Sequence, residues 1–205
     1  MQDAHIGSWV REAQVPGAML ESVRELNHRF LDLVALGPSG WSSSGRGLSV
    51  EVSAQVAPLS AAQKAAAASC PYALFDLRFH DDRHWQTRLR SIGHCSVAEA
   101  APVDTNTLDF VRLAVFFAWH VASTTKLAAQ LLLGMNEVTV IAFRGATIDC
   151  LPSLAATEAT NLTARWNHCT AYWSALAGAA ARPNAARLRR IQLYGLQLAA
   201  AARLA

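Results

Sequence analysis

Residues Thr107 to Leu133 read TLDFVRLAVFFAWHVASTTKLAAQLLL, and this stretch decides the fold class. Phe110, Leu113, Phe116, Phe117, Val121, Leu127 and Leu131 recur at three- and four-residue steps, the period of one helix face. Asn106 stands where a cap belongs and Gly134 where a helix stops, so the spacing predicts one helix from Thr107 to Leu133. Its longest apolar run, LAVFFAWHVA from Leu113, is closed by Ser123, Thr124, Thr125 and Lys126. That run is far short of the roughly 20 residues needed to cross a bilayer. The helix is therefore expected to be the centre of an all-α fold with no membrane partner.

The flanking chain carries the same period. Leu20, Val23, Leu26, Phe30, Leu33 and Val34 predict a helix over 18–35, which Gly37 and Pro38 end. Residues 48–57, LSVEVSAQVA, alternate like a strand, but Leu48, Val52 and Val56 also form a helical stripe. No second strong strand is available to pair with them, so a helix is expected. Ser60 caps AAQKAAAAS, and Asp81 caps a short helix carrying Trp85 and Leu89. Beyond Gly134, Asn136 caps a helix to about Phe143, Pro152 opens another through Leu162, and Pro183-Asn184 precedes a last helix over 185–204. The short turns favour a compact helical bundle of seven to nine helices in one domain, 1–205.

The bulk composition points toward contacts. Of 205 residues, 52% are hydrophobic, 16% are charged and 40 are alanine. Soluble domains carry about 25% charged residues, so some apolar surface is expected to be held by a homo-oligomer or a protein partner. Residues 1–110 hold nine basic and twelve acidic side chains, and residues 111–205 hold nine and three. Within the second half Arg182, Arg187, Arg189, Arg190 and Arg203 have no acidic neighbour in sequence. This stripe could meet the phosphates of a nucleic acid, an acidic partner or water. Sixteen of the eighteen basic residues are arginine, which fits a GC-rich bacterial genome. Four dispersed cysteines and the lack of an export signal lead to the expectation of a cytoplasmic protein with reduced thiols.

An internal duplication is also legible. Residues 47–79 overlay residues 134–166 without a gap at an offset of 87, pairing Gly47 with Gly134, Ser60 with Thr147, Arg78 with Arg165, and Phe79 with Trp166. Phe30 lands on Phe117, while Trp85 and Trp173 fall one residue out of register. The expected repeats are 18–90 and 107–177, and Arg78 and Arg165 are expected to hold equivalent structural positions, in an ion pair or capping a carbonyl.

Residues suited to chemistry are few. No GxGxxG, phosphate loop, GxSxG elbow, HExxH or CxxC is present, and no cofactor is expected. His80 and His84 are four apart around Asp81 and Asp82, a spacing that would put two imidazoles on one helix face for zinc, although Asp81 serves more naturally as a cap. His120, between Trp119 and Val121, reads as a buried histidine bonded to Ser123 or Thr124. His168 and Cys169 are adjacent and so do not face each other. Trp9 and Trp41 have few apolar neighbours and are candidate partner contacts.

Residues 127–166 carry Leu133-Gly134, Asn136-Glu137, Leu151, Leu154, Ala155, Leu162, Arg165 and Trp166 in an order that resembles the flagellar transcriptional regulator FlhD family, with a degenerate second copy at 47–79. The resemblance implies a helical, non-enzymatic regulator that acts with a partner subunit in binding DNA. Two classes stay open on the sequence: a helical regulator or adaptor working through protein contacts, which is favoured, and a small helical enzyme or metal-binding protein using His80 and His84.

Overall fold

A computed structural model of the protein describes residues 15–36, 47–91, 103–182 and 184–201. It is 74% helical, with ten α-helices and one small sheet among the described residues, so the all-α expectation holds. The helices are α1 (Gly17–Ala35), α2 (Val50–Val56), α3 (Ala61–Ala68), α4 (Asp82–Ser91) and α5 (Thr105–Thr124). There follow α6 (Lys126–Ala128), which runs into a π turn at Ala129–Leu133, then α7 (Glu137–Arg144), α8 (Leu151–Glu158), α9 (Thr170–Ala181) and α10 (Ala185–Ala201). Two strands of two residues each, β1 (Phe75–Asp76) and β2 (Thr163–Ala164), pair antiparallel.

Short polar side chains start most of these helices by accepting a backbone N–H that has no partner within the helix. Ser49 accepts from Val52, Asp104 from Thr107, Asn136 from Thr139, and Asn184 from Arg187. At α3 Ser60 and Gln63 satisfy each other's amides as a capping box.

The long helix expected over 107–133 is two pieces. Asp104 caps it earlier than Asn106 would, and it ends at Thr125, whose backbone is extended at φ −151° and ψ 121°. The residues at the break are Ser123, Thr124 and Thr125, and the Thr124 hydroxyl bonds the His120 carbonyl at 2.8 Å. Hydroxyl side chains that offer local bonds weaken a helix at such a place. The turn swings Leu132, Leu133 and Met135 into the core. Gly134 then closes the π turn at φ +75°, and a Cβ there would run into the Arg165 guanidinium. Glycine meets both demands without strain or displacement of a neighbour.

Residues 48–57 contribute α2 as expected, and the strands come from elsewhere: the apolar run after Pro71 and the exit from α8. The sheet pairs Phe75 with Ala164 and Asp76 with Thr163. Phe75 and Thr163 are 88 residues apart, as are Asp76 and Ala164, so shifting by 88 returns the same two pairs. The starts of α1 and α5, and of α4 and α9, keep that spacing. Arg78 at φ 58° and Trp166 at φ 53°, the two non-glycine residues with positive φ among the described residues, keep it too.

These spacings differ by one residue from the uniform offset of 87. It fits the cap positions Ser49 and Asn136, Ser60 and Thr147. The chain gains one residue by the sheet, which makes Trp166 the counterpart of Arg78. On α1 and α5 the buried positions follow 88 as well: Val23, Leu26, Asn27 and Phe30 correspond to the buried Val111, Ala114, Val115 and Ala118, whereas Phe117 is only half-buried.

The two segments pack across one another. α1 lies on α5, α4 on α7, and α9 on α2 and α3. Phe30, Phe75 and Phe110 meet at the centre with ring centroids 5.0 to 6.0 Å apart. The irregular chain from Ala68 to Leu74 is held by one fully buried side chain. Asn27 donates to the Ala68 and Tyr72 carbonyls and accepts from the Leu74 amide at 2.7 Å. A buried turn otherwise leaves such groups unpaired.

Candidate binding surfaces around helix α4

Helix α4 is fixed by one residue. Trp85 is fully buried, stacked on Phe79 and tilted against Phe143, and its indole N–H donates to the Arg78 carbonyl at 3.0 Å. Asp81 accepts the His84 amide at the helix start, which holds its carboxyl below the usual range, and it also pairs with the Arg78 side chain. With Trp85 anchored, residues one position before and three after fall on one flank, and residues one and four after fall on the other.

The first flank is charged. His84 points inward and its Nε2 lies 2.8 Å from Glu158 Oε2, a carboxylate with no exposed surface. Asn161 donates to the same oxygen at 2.8 Å. Arg88 Nε stands 3.0 Å from Oε1. That contact is an ion pair off the angle of a hydrogen bond, so Oε1 is met by charge without an aligned N–H. A carboxylate at this depth requires such partners. Above the cluster opens a hollow of about 330 Å³ lined by Arg78, Asp81, Arg83, His84, Thr87 and Arg88.

The second flank is apolar. Between α4 and α7 runs a groove of about 500 Å³ lined by Gln86, Leu89, Arg90, Val138, Ile141, Ala142, Gly145 and Ala146. Ile141 is 61% exposed there. Trp119 of α5 bonds the Ala146 carbonyl at the rim, and exposed Phe116 and Leu113 lie one and two turns before it.

A third hollow, of about 440 Å³, lies beside the sheet and includes Asp76, His80, Arg165, Asn167 and His168. His80 Nδ1 is 3.5 Å from Asp76 Oδ2, and the bond and charge of Asp76 raise the imidazole pKa. Arg165 is buried, donates to the Leu132 carbonyl at 3.2 Å and lies over the Trp166 ring at 4.8 Å.

The structure separates residues that the sequence placed together. His80 precedes α4 and turns to Asp76, while His84 turns to Glu158, so the two do not share a face. Among the described residues no three His, Cys, Asp or Glu side chains gather as metal ligands. His120 is exposed, not buried, and it is its backbone carbonyl that meets Thr124. Cys169 Sγ lies 4.0 Å from the Tyr194 hydroxyl, with His168 turned to the surface. Arg78 is exposed and paired with Asp81, unlike the buried Arg165. Arg182, Arg187, Arg189 and Arg190 are all exposed around the start of α10, with no carboxylate in ion-pair reach among the described residues. Trp9, Trp41, Cys95 and Arg203 lie outside the described residues. No single described helix is long and apolar enough to span a membrane.

Sequence reading did not single out Glu158. The available signal was a lone acid in LAATEATNL, with Leu154, Ala155, Ala159 and Leu162 around it as apolar positions on the same short stretch. Comparison of the chain with family models, with curated proteins and with solved structures finds no match.

Proposed function

We propose that the protein is a non-enzymatic helical adaptor with a regulatory role, working by holding another polypeptide against helices α4 and α7. One observation carries this reading: the groove between those helices has an apolar floor, and Ile141 stands 61% exposed within it. Large apolar side chains exposed as a group mark contact surfaces more often than isolated ones do. Leu113 and Phe116 are also exposed, on α5 in the turns before Trp119. The resemblance of residues 127–166 to the FlhD family supports regulation as the setting. The exposed arginines Arg182, Arg187, Arg189 and Arg190 supply a surface for phosphate or an acidic partner.

The test compares the full chain with Ile141→Asp by size exclusion with light scattering, together with co-purification from the source cell. A charge at an exposed helix position leaves the fold intact, which circular dichroism checks. The expected result is a stable assembly or co-purifying protein that the variant loses. A wild-type chain that stays monomeric at high micromolar concentration and brings nothing with it overturns the reading. DNA retardation in the same preparations, weakening with salt and with neutralisation of the arginines, reads whether the partner surface includes nucleic acid.

A further inference from the structure

The 88-residue correspondence extends beyond the sheet into pairs of side chains. Shifting by 88 carries Cys70 to Glu158 and Tyr172 to His84. Both pairs are in contact: Cys70 Sγ lies 4.0 Å from the Tyr172 hydroxyl, and His84 Nε2 lies 2.8 Å from Glu158. Turn bonds repeat as well. The Asp81 amide donates to the Arg78 carbonyl and the Cys169 amide to the Trp166 carbonyl, each at 2.8 Å. Trp85 and Trp173 are both buried, and each indole bonds a carbonyl of its own turn, at Arg78 and at Arg165.

What covers these equivalent places differs. In the second segment α10 lies on α9. Its Tyr194 meets Cys169 and Tyr172, its Gln192 side chain donates to Ser69, and its Gln192 carbonyl accepts from Tyr72. The counterparts are Asp81 for Cys169 and His84 for Tyr172, which both line the open charged hollow on α4, and Thr157 and Thr160 for Ser69 and Tyr72. The place that α10 fills on one side of the molecule is therefore unfilled by described residues on the other.

Charge states what fits. Three arginines and a histidine line the hollow against one carboxylate, Asp81, which is paired with Arg78. Glu158 lies beneath and is engaged by His84 and Arg88. Arg83 is exposed with no carboxylate in ion-pair reach among the described residues. From the helix that occupies the equivalent position and from this charge, we infer that the α4 hollow is a docking site for an acidic helix of a partner protein. A second copy presenting α10 fits poorly, because the first turns of α10 carry Arg187, Arg189 and Arg190.

The inference rests on the adaptor reading and assigns its partner's chemistry, but at the opposite flank of α4 from the groove. The probe is a fluorescein-labelled, glutamate-rich amphipathic helical peptide, with a lysine-for-glutamate peptide as control. Fluorescence anisotropy on the full chain is expected to show saturable binding of the acidic peptide that weakens with salt. Arg83→Glu is expected to weaken it about tenfold or more, and Arg78→Glu with Arg83→Glu to transfer preference to the lysine peptide. Equal binding of both peptides, or no effect of Arg83→Glu, overturns the inference. So does dimerisation of the full chain that Arg83→Glu abolishes, because the site then belongs to a second copy. Ile141→Asp is expected to leave peptide binding unchanged, so failure at the groove and failure at the hollow are read separately.

Discussion

At the scale of single residues, Glu158 shows how much of this molecule turns on one buried charge. Its side chain has no exposed surface and is held by His84, Asn161 and Arg88. Replacing it with alanine strips a partner from His84, which is nearly enclosed, and from Arg88, which is 41% exposed and can swing to water. The loss should therefore fall short of the roughly 3 to 5 kcal/mol seen when one member of a fully buried pair is removed. Glu158→Ala is expected to cost about 2 to 3 kcal/mol in urea unfolding, with Glu158→Gln milder because a neutral oxygen can still accept from Asn161. A cost below about 1 kcal/mol for the alanine variant would show that the pair contributes little. None of this was legible in sequence. His84 and Glu158 are 74 residues apart, and only the packing of α4 toward α8 joins them. The neighbouring cap was legible, because Asp81 accepts an amide three residues on, a local interaction that spacing alone predicts.

At the scale of elements, what sequence reveals and what it conceals divide along the same line. Helices α1, α5, α7 and α10 follow from apolar period, caps and breakers, all of them local. The break at Thr125 and the β1–β2 pair do not. The hydroxyls of Ser123, Thr124 and Thr125 weaken the helix locally, but that it breaks there depends on where Leu132 and Leu133 must go, and each strand is two residues whose partner lies 87 to 89 positions away. Helix α10 illustrates a further limit. Its Gly195 sits in mid-helix, where an alanine would ordinarily stabilise by about 1 kcal/mol. Here a Cβ would strike the Tyr72 hydroxyl and ring. Tyr72 has little room to give, being fully buried, edge-on to Trp166 and 3.1 Å from the Tyr172 hydroxyl. Gly195→Ala is therefore expected to destabilise by about 1 to 3 kcal/mol despite its helix propensity. Tyr72→Phe removes the atom that collides first, so the double variant should recover part of that loss. Strict additivity of the two single changes in thermal unfolding would contradict close packing at this contact.

At the scale of the whole molecule, the arrangement of contacts sets how the chain unfolds. If the two 88-spaced segments were independent, each would bury its apolar helix faces within itself. Beyond the pairs inside a segment, α1 with α3 and α5 with α7 and α8, α4 of the first segment packs on α7 of the second, α9 of the second packs on α2 and α3 of the first, and α1 lies along α5. The sheet takes one strand from each, and the Phe30, Phe75 and Phe110 cluster draws on both. Separated at residues 92–102, each segment would expose the face that its partner now covers, including Trp85 on one side and Trp173 on the other. Burying one such aromatic side chain contributes about 1.5 to 3 kcal/mol, and a marginally stable domain holds only about 5 to 15 in total. Neither segment is therefore expected to fold alone. The full chain should unfold in one transition that near-ultraviolet and far-ultraviolet circular dichroism report at the same midpoint. Residues 1–91 and 103–205 produced as separate polypeptides should each lack cooperative unfolding and regain it on mixing. A segment that folds by itself, or two separated transitions in the intact chain, would instead mean that the contacts across the segments are accessory, and the pairing of α4 with α7 that forms the apolar groove would then be the first to open.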